Sequence, residues 1–173
     1  MKMFGETLAD GVLVLEPLVA DDAEEWLAGE DKEQLRWFEA SRPAELSDVQ
    51  RFIISCQDSW RKMGDHRHWG IRKVESDSLI GGVDLRVLGD GEVNLSFVVF
   101  PQFRRQGIAR RASLLALSYA TRSLGSRCAV IKMLPGNVSS KNLARSLGAR
   151  YTGDEPSDAG KMFEVFKLTL PTL

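Results

Sequence analysis

The sequence predicts a mixed α/β fold: a mainly antiparallel, twisted sheet of about seven strands flanked by helices. Three observations lead there. The runs His66–Val74, Leu79–Leu88 and Glu92–Phe100 are strand-like and separated only by the turn clusters ESDS and GDGE, which reads as an antiparallel meander. A helix-periodic segment from about Gly107 to Ser123 then precedes the strand-like RCAVIKML, and strand, helix, strand implies one right-handed parallel unit. The segments RYTGDE and MFEVFKLTL read as a closing strand pair.

The remaining elements follow in order. Val12–Leu18 is rich in β-branched and apolar residues and reads as a first strand stopped near Pro17. Ala20–Glu39 reads as one or two short helices, capped by Asp21 or Asp22 and interrupted at Gly29. Ser47 is the expected cap of a helix in which Val49, Phe52, Ile53, Cys56 and Trp60 recur at helical spacing. Pro101 ends the third meander strand. After the PGN turn, Ser139 or Ser140 is expected to start a short helix closed by Gly148.

With 173 residues, 43% apolar and 27% charged, the chain has the length and composition of one globular domain. A net charge of −1 offers no general attraction for nucleic acid or membrane. Cys56 and Cys128 lie in no metal-binding spacing, so free thiols in a reducing compartment are expected. His66 and His68 share a strand face without a third ligand nearby, so ordinary strand roles are expected rather than a metal site. The first ten residues contain no apolar core of a signal peptide, and a cytoplasmic location is the expectation.

One stretch does not fit a bland reading. Arg104, Arg105, Arg110 and Arg111 lie within eight residues around Gly107, where the long helix begins. Cations at a helix N-terminus oppose its dipole. A polyanion bound there removes the conflict, because the free N–H groups and the arginines then act together. Gly107 and the small Ala109 permit close approach of such a group. The alternative is a solvated basic face with a turn-forming glycine. Neither a GxxxxGK[ST] phosphate loop nor a GxGxxG dinucleotide fingerprint occurs.

Arg104-Arg-Gln-Gly107-Ile-Ala109 resembles the Gln/Arg-x-x-Gly-x-Gly/Ala signature of the GNAT superfamily of N-acetyltransferases. Its setting also resembles that family: a strand, Val99-Phe-Pro101, the aromatic Phe103, the signature and a long helix. The segment from Asn137 through Ser140 and Ala144 to Gly148 resembles the family's next motif, in the expected place. The layout from about Val12 to Leu170 is similar to the RimJ/RimL-like branch. The resemblance implies transfer of an acetyl group from acetyl-CoA, used as cosubstrate without a metal, to a primary amine in a ternary complex. It implies that Arg104, Arg105, Gln106, Gly107, Ile108, Ala109 and Arg110 grip the pyrophosphate. The backbone at Phe97, Val98 and Val99, with Asn137, Ser140 and Asn142, would then hold the rest of the cosubstrate.

The catalytic residues depart from the family pattern. Asn94 stands where related enzymes often carry a glutamate base, and Ala144 where many carry a tyrosine acid. Glu92, on the same strand face as Asn94, is the substitute base, acting through water; Asp84 is a second candidate, and Glu92 as a solvated turn residue is the alternative. Ser140 is the expected hydrogen-bond donor near the sulfur, with plain helix capping as its alternative. Between Asp21 and Asp48 ten residues are acidic and three basic, 3 − 10 = −7, with Trp26, Trp37 and Phe38 interleaved. That segment is expected either to face a cationic amine (a peptide N-terminus, a polyamine or an aminoglycoside) or to be an amphipathic surface. Antibiotic acetylation, an acyl-CoA sensor without turnover and a nucleotide-phosphate binder are the alternative functions. A homodimer is compatible with the family.

Overall fold

The computed structural model describes residues 5–172; part of the N-terminal reading, at positions 1–4, lies outside the described residues. Strands β1 (Leu8–Ala9) and β2 (Leu13–Glu16) lead into three helices, α1 (Ala23–Ala28), α2 (Lys32–Trp37) and α3 (Leu46–Arg61). The meander follows as β3 (His66–Lys73), β4 (Leu79–Gly89) and β5 (Glu92–Val99). Then come α4 (Ile108–Leu124), β6 (Cys128–Met133), α5 (Val138–Ser146), β7 (Arg150–Pro156) and β8 (Met162–Thr169). The sheet has eight strands in the order β1-β2-β3-β4-β5-β6-β8-β7. The strand beyond the expected seven is β1, whose two residues are too short to carry an alternating pattern.

The pairing of β5 with β6 is parallel, and every other neighbouring pair is antiparallel. The parallel pair registers only Glu92↔Cys128, Val93↔Ala129 and Asn94↔Val130. Beyond Asn94 the strands part, while β5 stays paired to β4 as far as Val99↔Gly81. Gly81 permits that pairing, since a Cβ there would stand 2.2 Å from the Val98 carbonyl oxygen.

One face of the sheet is packed by α4. Ala112, Ala116 and Ala120 recur every four residues, and all are fully buried, so the helix sits close to Val83, Leu85, Val93 and Leu95. The other face is covered by α1 and α3, whose Trp26, Val49 and Ile53 cluster with Leu79 and Phe100 of the sheet side. Two caps differ from the sequence expectation. Helix α3 starts after Glu45 rather than Ser47, because the Asp48 carboxylate accepts the Glu45 N–H at 2.9 Å. Helix α5 starts after Asn137, whose Oδ1 accepts the Ser140 N–H at 3.1 Å. The cysteines are free, and burial pushes the Cys56 thiol up to about 12.

His68 is 5% exposed, its ring enclosed by Trp26 and Phe52, and its Nδ1 has no hydrogen-bond partner. Burial depresses its pKa to about 4; Asp84 opposes that shift and His66 adds to it. The neutral ring is favoured in the fold, so its contribution is present above about pH 6.5 and is lost as pH falls toward 4. Between pH 7 and 5 this amounts to about 2 kcal/mol. Urea denaturation across that range should therefore show the wild type losing about 2 kcal/mol more than His68→Phe. An equally steep loss in the variant would assign the acid sensitivity to other groups.

Candidate functional site

The parting of β5 and β6 opens a cavity of about 650 Å³. Its floor is the stretch from Asn94 to Val99, and its opposite wall is Ile131 to Met133 of β6. Helix α2 closes one side, the start of α4 another, and Asn137 and Ser140 of the α5 N-terminus a third. Peptide groups along a strand point alternately to its two neighbours. The Phe100 N–H donates to Ile80 on the β4 side, and the Val99 carbonyl accepts from Arg104 on the other. By that alternation the backbone groups of Leu95, Phe97 and Val99 face away from β4, where β6 has left. The cavity is therefore lined by backbone donors and acceptors without an opposing strand.

The arginine-rich turn has separated into different tasks. Gly107 caps α4 in the left-handed conformation, φ 74°, and nothing lies within 4 Å of where a Cβ would stand. Arg105 is likewise left-handed, φ 61°. Arg105, Gly107, Ile108, Ala109 and Arg110 line the cavity, which places the free N–H groups of the first helical turn beside two arginines.

Arg104 also lines the cavity, but its guanidinium is engaged. Its Nε donates to the Val99 carbonyl at 2.9 Å, its Nη1 to Asp31 and Glu33 at 2.8 Å each, and its Nη2 to Asp31 at 2.9 Å. The Arg104 hydrogen bond holds the Asp31 carboxyl below the usual carboxylate range against the opposing effect of burial. Arg104 thus braces α2 against the end of β5 while also lining the cavity. Gln106 lies outside the cavity lining, and its Nε2 donates to the Gln102 carbonyl at 3.3 Å. Arg111 is also outside, and its Nε donates to Asp10 at 2.8 Å. Burial of Asp10 works to raise its pKa, but the N–H groups of Leu13 and Val12, with Arg111, hold it below the ordinary value.

Phe97, Val98 and Val99 stand on the cavity floor, and Asn137 is buried at its wall, 7% exposed. Ser140 lines the cavity, and because Asn137 supplies the α5 cap, its hydroxyl is not the capping group. Asn142 is exposed and outside the lining; two residues beyond Ser140, it sits about 200° further round the helix.

Glu92 is corrected as a base. The cavity opens only past Asn94, and Glu92 lies where β5 and β6 are still paired. Its Oε1 accepts from Lys167 at 2.7 Å, and that bond holds its pKa below the ordinary value while burial opposes it. Asp84, the second candidate, contacts His66 at 3.1 Å and also lies outside the lining. The Asn94 Nδ2 donates to the Ser96 Oγ at 3.0 Å, so Asn94 orients a hydroxyl on the floor. Among the described residues, no group of three His, Cys, Asp or Glu side chains assembles for a metal.

The acidic segment resolves into structural and site residues. Asp22 pairs with Arg72, Glu25 accepts the Leu79 N–H, Glu30 the Ala44 N–H, and Asp48 pairs with Arg42 and Arg51. Trp26 is a core residue, while Trp37 and Phe38 line the cavity. Glu39, one of the ten acidic residues of that segment, lines it too, as do Gln34, Ser96, Lys132 and Phe163, none of which sequence reasoning singled out. Glu39 ends α2 in a Schellman motif: Ala40 N–H donates to the Leu35 carbonyl and Glu39 N–H to that of Arg36. It has φ 55° at the position glycine usually fills, a conformation that costs a side chain roughly 1–2 kcal/mol.

Comparison with known proteins agrees with this geometry. Residues 13–150 match the model of the acetyltransferase (GNAT) domain. A Vibrio cholerae protein, provisionally described as a ribosomal-protein-serine acetyltransferase, superposes with a TM-score of 0.81 at 23% identity, covering 96% of this chain and 99% of that one. A GNAT-family acetyltransferase from Bacillus anthracis superposes with a TM-score of 0.81 at 13% identity, covering 95% and 98%. The microcin C7 self-immunity acetyltransferase MccE, solved with acetyl-CoA and AMP, gives 0.77 at 16%, covering 93% and 94%. None of the curated proteins compared with the chain matches it. The split sheet, the cavity it opens and the family match lead to one conclusion: the chain belongs to the GNAT acetyltransferase family.

Proposed function

We propose that the protein acetylates a primary amine, with acetyl-CoA as donor, by direct attack within a ternary complex, and that the chain forms one catalytic domain. The observation that carries this reading is the β5/β6 gap. It joins unopposed strand backbone to the N-terminus of α4 in one cavity. An elongated donor with an anionic end and an amide-containing arm fits that combination.

The chemistry distributes over the chain's own groups as follows. The α4 N–H groups, Arg105 and Arg110 bind the pyrophosphate. Backbone groups of Leu95 and Phe97, with the Val99 N–H, bind the pantetheine amides, and an N–H among them polarises the acetyl carbonyl, stabilising the oxyanion as the amine nitrogen bonds to the carbonyl carbon. Collapse breaks the carbon–sulfur bond, and the Ser140 hydroxyl donates a hydrogen bond to the departing thiolate. The amine gives up its proton to solvent during the reaction. The α-amino group of a protein or peptide is the acceptor that the RimJ/RimL-like layout supports, and the likeness to the Vibrio cholerae protein points the same way. A polyamine or aminoglycoside amine fits the same chemistry.

Thiol release from acetyl-CoA should rise when a short peptide with a free N-terminus, spermidine or kanamycin is added, with the matching acetyl mass gain on the amine. Binding of acetyl-CoA without thiol release from any of them would instead make the protein a sensor. Arg105→Gln combined with Arg110→Gln should weaken acetyl-CoA binding at least tenfold and flatten its salt dependence. Arg111→Gln, which loses only its bond to Asp10, should stay within twofold; calorimetry reads both. Glu92→Gln should leave the acid limb of the pH–rate profile in place, since its carboxylate lies outside the cavity on Lys167. A displaced limb would restore Glu92 to the mechanism.

A further inference from the structure

Helix α2 walls the cavity, yet none of its six residues is buried. A helix that short is not stable by itself, and apolar packing does little to hold this one. Its place is set by two contacts with the end of β5. Just before it, Gly29 lies against Phe100, where a Cβ would stand 2.4 Å from the ring. At its first turn, Asp31 and Glu33 take the guanidinium of Arg104. The two Asp31 oxygens accept from Nη1 at 2.8 Å and from Nη2 at 2.9 Å, a bidentate pair, and Glu33 accepts from Nη1 at 2.8 Å. Asp31 Oδ1 also accepts the Gln34 N–H at 2.9 Å, so one carboxylate both caps α2 and ties it to Arg104. The Nε of the same guanidinium holds the Val99 carbonyl at 2.9 Å, so all three of its nitrogens are engaged.

We infer that Arg104 is a positioning residue for the reaction: it fixes α2 as a wall of the cavity and leaves the donor's pyrophosphate to other groups. This rests on the proposed function. To reach a phosphate, Arg104 would have to give up two carboxylates and a carbonyl, and the Asp31 carboxylate it left would be 27% exposed and without its counter-charge. The cavity already holds cations without such ties. Among the described residues neither Arg105 nor Arg110 forms an ion pair, and both line the cavity beside the free N–H groups of α4. Through α2, Arg104 sets where Glu33, Gln34 and Trp37 stand, and through Val99 it sets that wall relative to the strand floor. Reacting groups in such a cavity depend on fixed walls for their orientation. The task needs the planar fork of arginine and not its charge alone, since one guanidinium spans two carboxylates and a carbonyl.

The test combines hydrogen exchange of the amides in 32–40, calorimetry with acetyl-CoA, and turnover of whichever of the peptide, spermidine or kanamycin is acetylated. Arg104→Met removes the donors and Arg104→Lys keeps only the charge. Asp31→Asn with Glu33→Gln removes the opposing charges while asparagine still caps the helix. In all three, exchange in α2 should rise about tenfold or more with the sheet amides unchanged. The kcat/KM for the amine should fall about tenfold or more, while the acetyl-CoA Kd stays within about threefold. A phosphate cation behaves in the opposite way. Arg104→Met would then weaken acetyl-CoA as strongly as the Arg105→Gln, Arg110→Gln pair, Arg104→Lys would largely retain it, and the carboxylate double variant, by releasing Arg104, would tighten it. That pattern overturns the assignment, and so does unchanged exchange in α2. Loosened α2 amides with an unaltered kcat/KM overturn it too, by making Arg104 a structural brace alone. Exchange needs neither donor nor turnover. A wild type that acetylates none of the three amines therefore removes the acetyltransferase reading and, with it, the role in the reaction, while exchange still decides whether Arg104 holds α2.

Discussion

The structure turns on how briefly β5 and β6 stay together. Three residue pairs hold them in parallel, and after Asn94 and Val130 they diverge. In a continuous sheet, the backbone groups of Leu95, Phe97 and Val99 would be spent on a neighbouring strand. The divergence instead leaves them facing a cavity, where the Val99 carbonyl is taken by Arg104 Nε. The cost is contained because β5 is paired along its whole length to β4 on the other side, with Gly81 admitting the Val98 carbonyl at close range. The same divergence sets which residues take part. Glu92 lies before it, within the paired stretch and bonded to Lys167, while Asn94 and Ser96 lie on the open floor.

A second constraint is electrostatic. Four arginines crowd the start of α4, where the helix dipole disfavours cations. The fold neutralises two of them internally, Arg104 through Asp31 and Glu33, and Arg111 through Asp10. Arg105 and Arg110 remain directed to the cavity beside the free N–H groups of the helix. Half of the cluster therefore braces the fold and half lines the cavity. Arg104 links the two halves of the cavity, since it joins the end of β5 to α2, the helix that carries Glu33, Gln34 and Trp37.

Much of this was legible from the residues. The meander, the long helix and the crossover follow from alternation, helical spacing and turn clusters, all local signals, and the strands appear where those signals placed them. Two caps were misplaced because serine is a good cap by type, whereas Asp48 and Asn137 had the better geometry. At the site, the turn from Arg105 to Arg110 was legible because its parts are contiguous in sequence. Pairing was not. Nothing local in Arg104 shows that Asp31, 73 residues away, will take its charge, or that Lys167, 75 residues from Glu92, will take that carboxylate. Asn142 failed for a simpler reason, because its helical position turns it away from Ser140.

The acceptor side shows how far a charge count misleads. A segment of net charge −7 suggests a broad acidic wall, yet Asp22, Glu25, Glu30, Asp31, Glu33 and Asp48 are each bonded to a named group of the protein. Their charge holds α1, α2 and α3 against the sheet and against one another, and most of it is cancelled where it stands. Recognition then has to come from a few groups that the cavity itself exposes. On this wall the lining residues are Glu33, Gln34, Trp37, Phe38 and Glu39, and the Gln34 Oε1 is itself buried. The opposite part of the cavity is built differently, from repeated backbone groups of β5 and the N-terminal end of α4. The α2 wall is built from individual side chains of one short helix and of the residues that follow it.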